Sequence, residues 1–224
     1  MPDIPTPSSS VPHAAPIALS PAWLLFALLA LAVPLGALLL HPRVPLAPAP
    51  LPMLSTLPDF ALVDQSGRPF ARKDLLGRTW VADFVFTNCP DACPRLTATM
   101  RKLQDSLSAD ERAGAMGLLS LSVDPARDTP EVMRKYAEAH GADVRVWRFL
   151  TGPDDEIERA VVLGFKQAIE PAGDAHTAAL DILHGEKFVL VDGAGRIRGY
   201  YDANEEPELQ RLLRDARQLT RGDK

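Results

Sequence analysis

Residues 22–40 run Ala-Trp-Leu-Leu-Phe-Ala-Leu-Leu-Ala-Leu-Ala-Val-Pro-Leu-Gly-Ala-Leu-Leu-Leu without one charged side chain. A bilayer core about 30 Å thick is crossed by roughly 20 such residues in a helix. Trp23 stands at one end, where an interfacial aromatic is expected. Pro34 would break a soluble helix but is tolerated in a membrane span. The stretch reads as a single-pass transmembrane anchor. A buried core helix fits less well, because the run is long and its flanks are proline-rich. A cleaved signal peptide needs a basic n-region and a small-x-small cleavage site. Here no Lys or Arg precedes Arg43, and Ala47-Pro48-Ala49 is followed by Pro50, which hinders cleavage. The same lack of arginine disfavours a mitochondrial presequence. Arg43 on the C-terminal side argues weakly against export, but long domains translocate largely regardless of charge.

The anchor divides the chain. Residues 1–21 are rich in Pro and Ser, carry Asp3 as their one charge, and are expected to be disordered. Pro42, Pro45, Pro48, Pro50, Pro52 and Pro58 mark 41–58 as a stiff tether. What remains, 59–224, has the size of one ordinary domain. Its sign of charge excludes one partner class. With 24 Lys and Arg against 29 Asp and Glu, the chain carries a net −5 and lacks the clustered cations that a nucleic acid needs. One apolar stretch excludes a polytopic membrane protein, and two cysteines exclude a disulfide-dense scaffold.

Within the domain, strand and helix patterns alternate. Phe60–Val63 reads as a strand followed by a turn at Gln65–Arg68. Trp80–Phe86 is a nearly continuous apolar run, the mark of a buried central strand. Leu96, Met100, Leu103 and Leu107 recur at helical spacing. Leu118–Val123 is a second inner strand. Asp128-Thr-Pro-Glu131 carries helix-start chemistry, a capping side chain and then Pro, for a helix to about His140. Trp147–Leu150 is a strand and 154–164 a helix. Lys187–Val191 and Arg196–Tyr201 form a hairpin about Asp192–Gly195. Glu206–Leu219 closes the chain as a helix, with Leu209, Leu212, Leu213 and Ala216 on one face. The order predicts an α/β fold, a mixed sheet with helices on both faces.

Thr87-Asn-Cys89-Pro-Asp-Ala-Cys93-Pro94 falls between the inner strand and the amphipathic helix. Free amides and the dipole at a helix start favour thiolates, and a four-residue spacing brings both sulfurs to one face. The expectation is two adjacent, deprotonatable sulfurs at the rim of a rigid sheet. Three uses follow. A structural disulfide would close a very short loop and stabilise little. A dithiol redox pair is chemically reasonable, although general redox thioredoxins space their cysteines by three. A soft metal such as Cu(I) suits two thiolates and needs a further ligand from elsewhere. A zinc ribbon lacks its second cysteine pair.

Of the five histidines, His13 lies in the leader, His41 at the membrane boundary and His176 in a polar loop. His140 ends a helix before Gly141, where a cation suits the dipole. His184 directly precedes the final hairpin, and in a thioredoxin-like sheet that loop faces the start of the cysteine helix.

Cys89-Pro-Asp-Ala-Cys93-Pro94 after a strand ending in Phe86-Thr-Asn88 is similar to the cysteine motif of the Sco/SenC copper chaperones. Ser122-Val-Asp-Pro-Ala-Arg-Asp-Thr-Pro130 resembles that family's second signature, and His184, eight residues before Asp192-Gly193, matches its ligand histidine. Asp59-Phe60, Asp64-Gln-Ser-Gly67 and the single anchor agree, so that the resemblance covers about residues 57–220. It implies a thioredoxin-like domain and one copper ion per chain, Cu(I) or Cu(II), held by Cys89, Cys93 and His184. Asp124 and Asp128 match acidic motif positions near the site; a helix cap is the competing reading of Asp128. The implied role is assembly of the binuclear copper centre in cytochrome c oxidase subunit II, by giving copper or by reducing that subunit's cysteines. Other periplasmic copper carriers or thiol reductases are implied as further partners. The implied place is the bacterial inner membrane, with the domain in the periplasm. Two departures are Gly185, where the family carries a small hydroxyl residue, and the missing basic n-region. The alternative is a thiol-disulfide oxidoreductase without a metal role; a peroxidase of related fold is weaker.

Overall fold

Strand-forming residues at 79–85, Thr-Trp-Val-Ala-Asp-Phe-Val, are buried at every position, which requires cover on both faces of the sheet. They form the centre of a computed structural model. The structure describes residues 49–222 apart from 110, 168, 171–180 and 183–185, together with 22, 25, 26 and 28–33. Residues 1–47 and 48–224 are separate compact units. The described residues between 22 and 33 are helical, and Leu25, Phe26, Leu28, Leu29, Leu31 and Val33 are exposed. Among the described residues, no helix is long and apolar enough to cross a membrane.

Along the chain the strands are β1 (Ser55–Thr56), β2 (Ala61–Asp64), β3 (Pro69–Ala71), β4 (Thr79–Val85), β5 (Met116–Ser122), β6 (Trp147–Thr151), β7 (Ile169–Glu170), β8 (Asp181–Ile182), β9 (Lys187–Val191) and β10 (Arg196–Asp202). The helices are α1 (Ala92–Ser106), α2 (Pro130–Ala139), α3 (Asp154–Glu158), which continues as wider turns over Arg159–Gly164, and α4 (Glu206–Gly222). Eight strands form one sheet in the order β1-β10-β9-β4-β5-β6-β2-β3. The pairs β4–β5 and β5–β6 are parallel, and the other pairs are antiparallel. A mixed sheet with flanking helices fits the thioredoxin-like class. Strands β7 and β8 form a small separate ladder in a stretch where sequence patterning indicates no element.

The helices follow the apolar periodicity. Leu96, Met100 and Leu103 of α1 are buried, as is Leu107 just beyond its end. On α4, Leu212 and Ala216 are buried, with Leu209 and Leu213 packed against the core. Two local expectations change. The stretch 41–58 is not tether throughout: Ser55 and Thr56 pair with β10, Leu57 is only 2% exposed, and Arg198 Nε donates to the Pro52 carbonyl at 2.9 Å. Leu51 and Leu57 find apolar cover there, which docks the extended segment on the domain instead of leaving it as a free spacer. The cap of α2 is Thr129, whose hydroxyl accepts from the Val132 amide; the Asp128 side chain is turned inward instead.

The turn between β9 and β10 is held by one carboxylate. Asp192, fully buried, accepts from the Ala194 and Arg196 amides and from the Arg196 and Arg198 guanidinium groups. Burial pushes its pKa up, but these bonds prevail and hold it below the usual carboxylate value.

A second buried carboxylate is less well served. Asp83, in the middle of β4, is 0% exposed; its Oδ1 accepts from the Ser120 hydroxyl at 2.5 Å, and Trp147 Nε1 donates to the same hydroxyl at 2.9 Å. Its Oδ2 has no partner among the described residues. Burial therefore raises the Asp83 pKa to about 7, against the smaller opposing effect of the Ser120 bond. Between the unfolded value near 4 and this value, the folded state holds a proton that the unfolded chain has released. Stability then falls as pH rises through that window. Asp83→Asn removes the ionisation. We expect its thermal unfolding to show a gain over wild type that is about 2 kcal/mol larger at pH 8 than at pH 5. An equal effect at both pH values contradicts the assignment.

Candidate metal and dithiol site

Strand β4 ends at Val85, and the chain turns through Phe86–Asp91 into α1. The Cys89 amide donates to the Phe86 carbonyl at 3.2 Å, which closes that turn. Asp91 occupies the cap position of α1 yet makes no capping bond; its carboxylate takes Arg95 Nη1 at 2.6 Å. The Cys89 sulfur fills the vacancy. It accepts the Cys93 amide at 3.3 Å, one of the first unpaired N–H groups of the helix. Pro94 follows, with no amide to satisfy. The two cysteines are free thiols joined by this amide–sulfur contact.

Their surroundings differ. Cys89 is half-buried, whereas Cys93 is 4% exposed and belongs to the hydrophobic core. Burial is the main cause that pushes the Cys93 thiol well above the ordinary cysteine pKa, and its interactions with Cys89 and Asp83 add to it. The expected pair of deprotonatable rim sulfurs is therefore corrected at Cys93, which is buried and whose pKa is raised. There, desolvation outweighs the helix dipole.

Asp128 underpins the loop. It is 0% exposed and accepts from the Thr87 amide at 3.2 and 3.3 Å, the Thr87 hydroxyl at 2.5 Å and the Ser122 hydroxyl at 2.6 Å. Burial raises its pKa, with the Ser122 and Thr87 bonds opposing. The aspartate thus joins the end of β5 and the residue before α2's cap to the segment two residues ahead of Cys89. Asp124 is also buried, but its Oδ2 pairs with Arg127 Nη1 at 2.7 Å, and no bond joins it to the cysteine loop among the described residues.

His184 lies outside the described residues. The first residue described after it, Glu186, meets the cysteine helix: its Oε1 takes Arg95 Nη2 at 2.9 Å, two residues beyond Cys93. His140, expected to be a cation at a helix end, packs its ring 4.4 Å from Tyr136, and burial lowers its pKa. The buried Asp83 is the feature that sequence patterning missed; its one signal is a carboxylate inside an otherwise apolar inner strand.

No group of three or more metal-ligating side chains assembles among the described residues. The donors they do offer are two thiols one helical turn apart. This set suits a soft ion with a third ligand supplied from elsewhere, and it equally suits reversible oxidation to a disulfide.

The SCO1/SenC family profile matches residues 50–220. A "putative copper-binding protein" of Stutzerimonas stutzeri is 35% identical over 167 residues, covering 73% of this chain and 78% of that protein. Among solved structures, BsSco, described as having a disulfide switch and as a member of the Sco family of cytochrome c oxidase assembly proteins, is 31% identical. It superposes with a TM-score of 0.64 over 76% of this chain and 97% of its own. ScoI of Bradyrhizobium japonicum, solved with copper bound, is 25% identical with a TM-score of 0.55, covering 74% of this chain and 99% of its own. The profile spans the whole sheet, the cysteine loop and the Asp128 segment, and the chain belongs to the SCO1/SenC family.

Proposed function

We propose that this chain is a membrane-anchored copper-binding chaperone acting in the assembly of cytochrome c oxidase, at the binuclear copper centre of subunit II. The observation that carries the reading is the pair of thiols at the start of α1, in a chain of this family. Relatives described as copper-binding, and a relative solved with copper bound, support copper as the cargo. Cys89, Cys93 and His184 are the proposed ligands. In support of His184, the Arg95–Glu186 ion pair ties the start of β9 to the cysteine helix. His184 precedes Glu186 by two residues, which limits their Cα separation to about 7 Å. Copper loading must release the proton that burial keeps on Cys93. The apolar, uncharged run 22–40 supports a membrane anchor; placement in the bacterial inner membrane, with the domain in the periplasm, rests on the family resemblance alone.

A second reading, thiol-disulfide exchange with the same target, is favoured by the unequal burial of the sulfurs and by the disulfide switch described for BsSco. Cys89, the open thiol, attacks one sulfur of a partner disulfide as a thiolate; the partner's S–S bond breaks, its other sulfur leaves as a thiolate, and a mixed disulfide forms. Cys93, giving up its proton, then attacks the Cys89 sulfur and displaces the partner sulfur bound to it. The partner gains two electrons and two protons, and Cys89–Cys93 closes as a disulfide. Asp128 is a positioning residue in both readings, because it fixes Thr87 and hence the loop that carries Cys89.

Purified full-length chain loaded with Cu(I) under reducing conditions should hold about one copper per chain. Cys89→Ser and Cys93→Ser should abolish binding, and His184→Ala should weaken it by at least about tenfold. Equal binding by wild type and His184→Ala rules out the proposed ligand set. Rapid reduction of a disulfide by the metal-free chain, insensitive to His184→Ala, would instead favour exchange alone. Asp128→Ala leaves the Thr87 and Ser122 donors unpaired. We expect it to lower stability by about 3 kcal/mol in denaturant unfolding, with Asp128→Asn milder. A loss within about 0.5 kcal/mol for Asp128→Ala contradicts the role given to it.

A further inference from the structure

The end of β4 remote from the cysteines opens on a cleft of about 490 Å³, lined by Arg68, Arg78 and Arg148 with Asp64, Asp74 and Trp80 among its other walls. Seven strand residues separate the two ends, about 20 Å. The cleft's charges are unevenly matched. Asp64 Oδ2 takes Arg68 Nη2 at 3.0 Å and Arg68 Nε at 3.2 Å, with Arg148 Nη1 at 3.5 Å. Asp64 Oδ1 is filled by the Ser66 amide and hydroxyl and the Arg68 amide. Asp74 caps the Ala71 amide. Arg78 is left without a carboxylate among the described residues. Its Nη2 donates to the Met116 carbonyl and its guanidinium lies 4.9 Å from the Trp80 ring centroid. Its Nε is shielded from solvent and has no partner among the described residues.

A partly buried guanidinium with no counter-charge is costly, and a second arginine in the same cleft adds repulsion. Burial first, and then Arg148, push the Arg78 pKa down. A group with two or more anionic oxygens relieves both costs, because a planar guanidinium presents paired donors that match phosphate and carboxylate oxygens. Trp80 is itself buried under Arg78, so the cleft offers a charged contact rather than an aromatic stacking surface.

We propose that this cleft binds a small multivalent oxyanion, a phosphate or carboxylate group seated between Arg78 and Arg148, as a site separate from the cysteines. The test titrates the full chain with inorganic phosphate and, separately, with citrate, at an ionic strength held constant with chloride. Arginine Nε–Hε NMR resonances report binding. Saturable shifts at Arg78 and Arg148 are expected, and whichever anion binds more tightly identifies the ligand type. Arg78→Gln and Arg148→Gln should each weaken binding by about tenfold or more, while Arg134→Gln on α2 changes nothing. Copper content of both cleft variants should match wild type, whatever that value is, which keeps this site distinct from the cysteine reading. If Arg78→Gln fails to fold, Arg148→Gln carries the test, since that side chain is partly exposed and its one ion pair among the described residues is the 3.5 Å contact to Asp64. Non-saturating shifts with both anions, or unchanged affinity in Arg148→Gln, overturn the proposal.

Discussion

Parallel pairing of β4 with β5 aligns Thr79 with Met116 and Val85 with Ser122 over seven residues, and the Val123 amide extends the ladder to the Val85 carbonyl at 3.0 Å. That register decides where the two loops at this end of the sheet emerge. The cysteine turn leaves from one strand and the Asp128 segment from its neighbour, so a single buried carboxylate can reach across to Thr87. The arrangement resembles a clasp: the strands set the separation, and Asp128 closes it. With every residue of both strands buried, a slip in register would carry apolar side chains and the paired loops out of place together.

Most of the sheet was legible because its inner strands are continuous apolar runs bounded by turn residues, and the helices repeat Leu and Met at helical spacing. The short edge strands were not. Ser55–Thr56 carries no pattern of its own and becomes a strand because Leu51 and Leu57 gain cover against the body of the domain. Prolines at 50, 52 and 58 suggest an extended spacer, and extended backbone is what an edge strand also needs.

At the site, residue type was more legible than environment. The motif put both cysteines at or just before the helix start, and the structure has Cys93 in the first turn of α1 and Cys89 in the turn ahead of it, but spacing carries no information on depth. The amide–sulfur contact and the burial of Cys93 depend on tertiary packing, which sets Cys93 in the hydrophobic core. Asp128 and Thr129 show the same limit. Either side chain can cap a helix, and the inward donors, Ser122 six residues back and Thr87 forty-one residues back, decide that Thr129 caps while Asp128 turns inward. Asp83 was hidden for the opposite reason: an isolated carboxylate in an apolar run is averaged away by any pattern of hydrophobicity.

The sheet is finished at both margins by very short strands, two residues in β1 and three in β3, the latter beginning at Pro69. A long bare margin would be a template for another chain to add on by backbone pairing. These margins present little backbone for such addition, which guards against strand-to-strand aggregation. It also directs recognition of other proteins away from the sheet's flanks, toward the loops at its ends, where side chains rather than backbone ladders set the choice of partner.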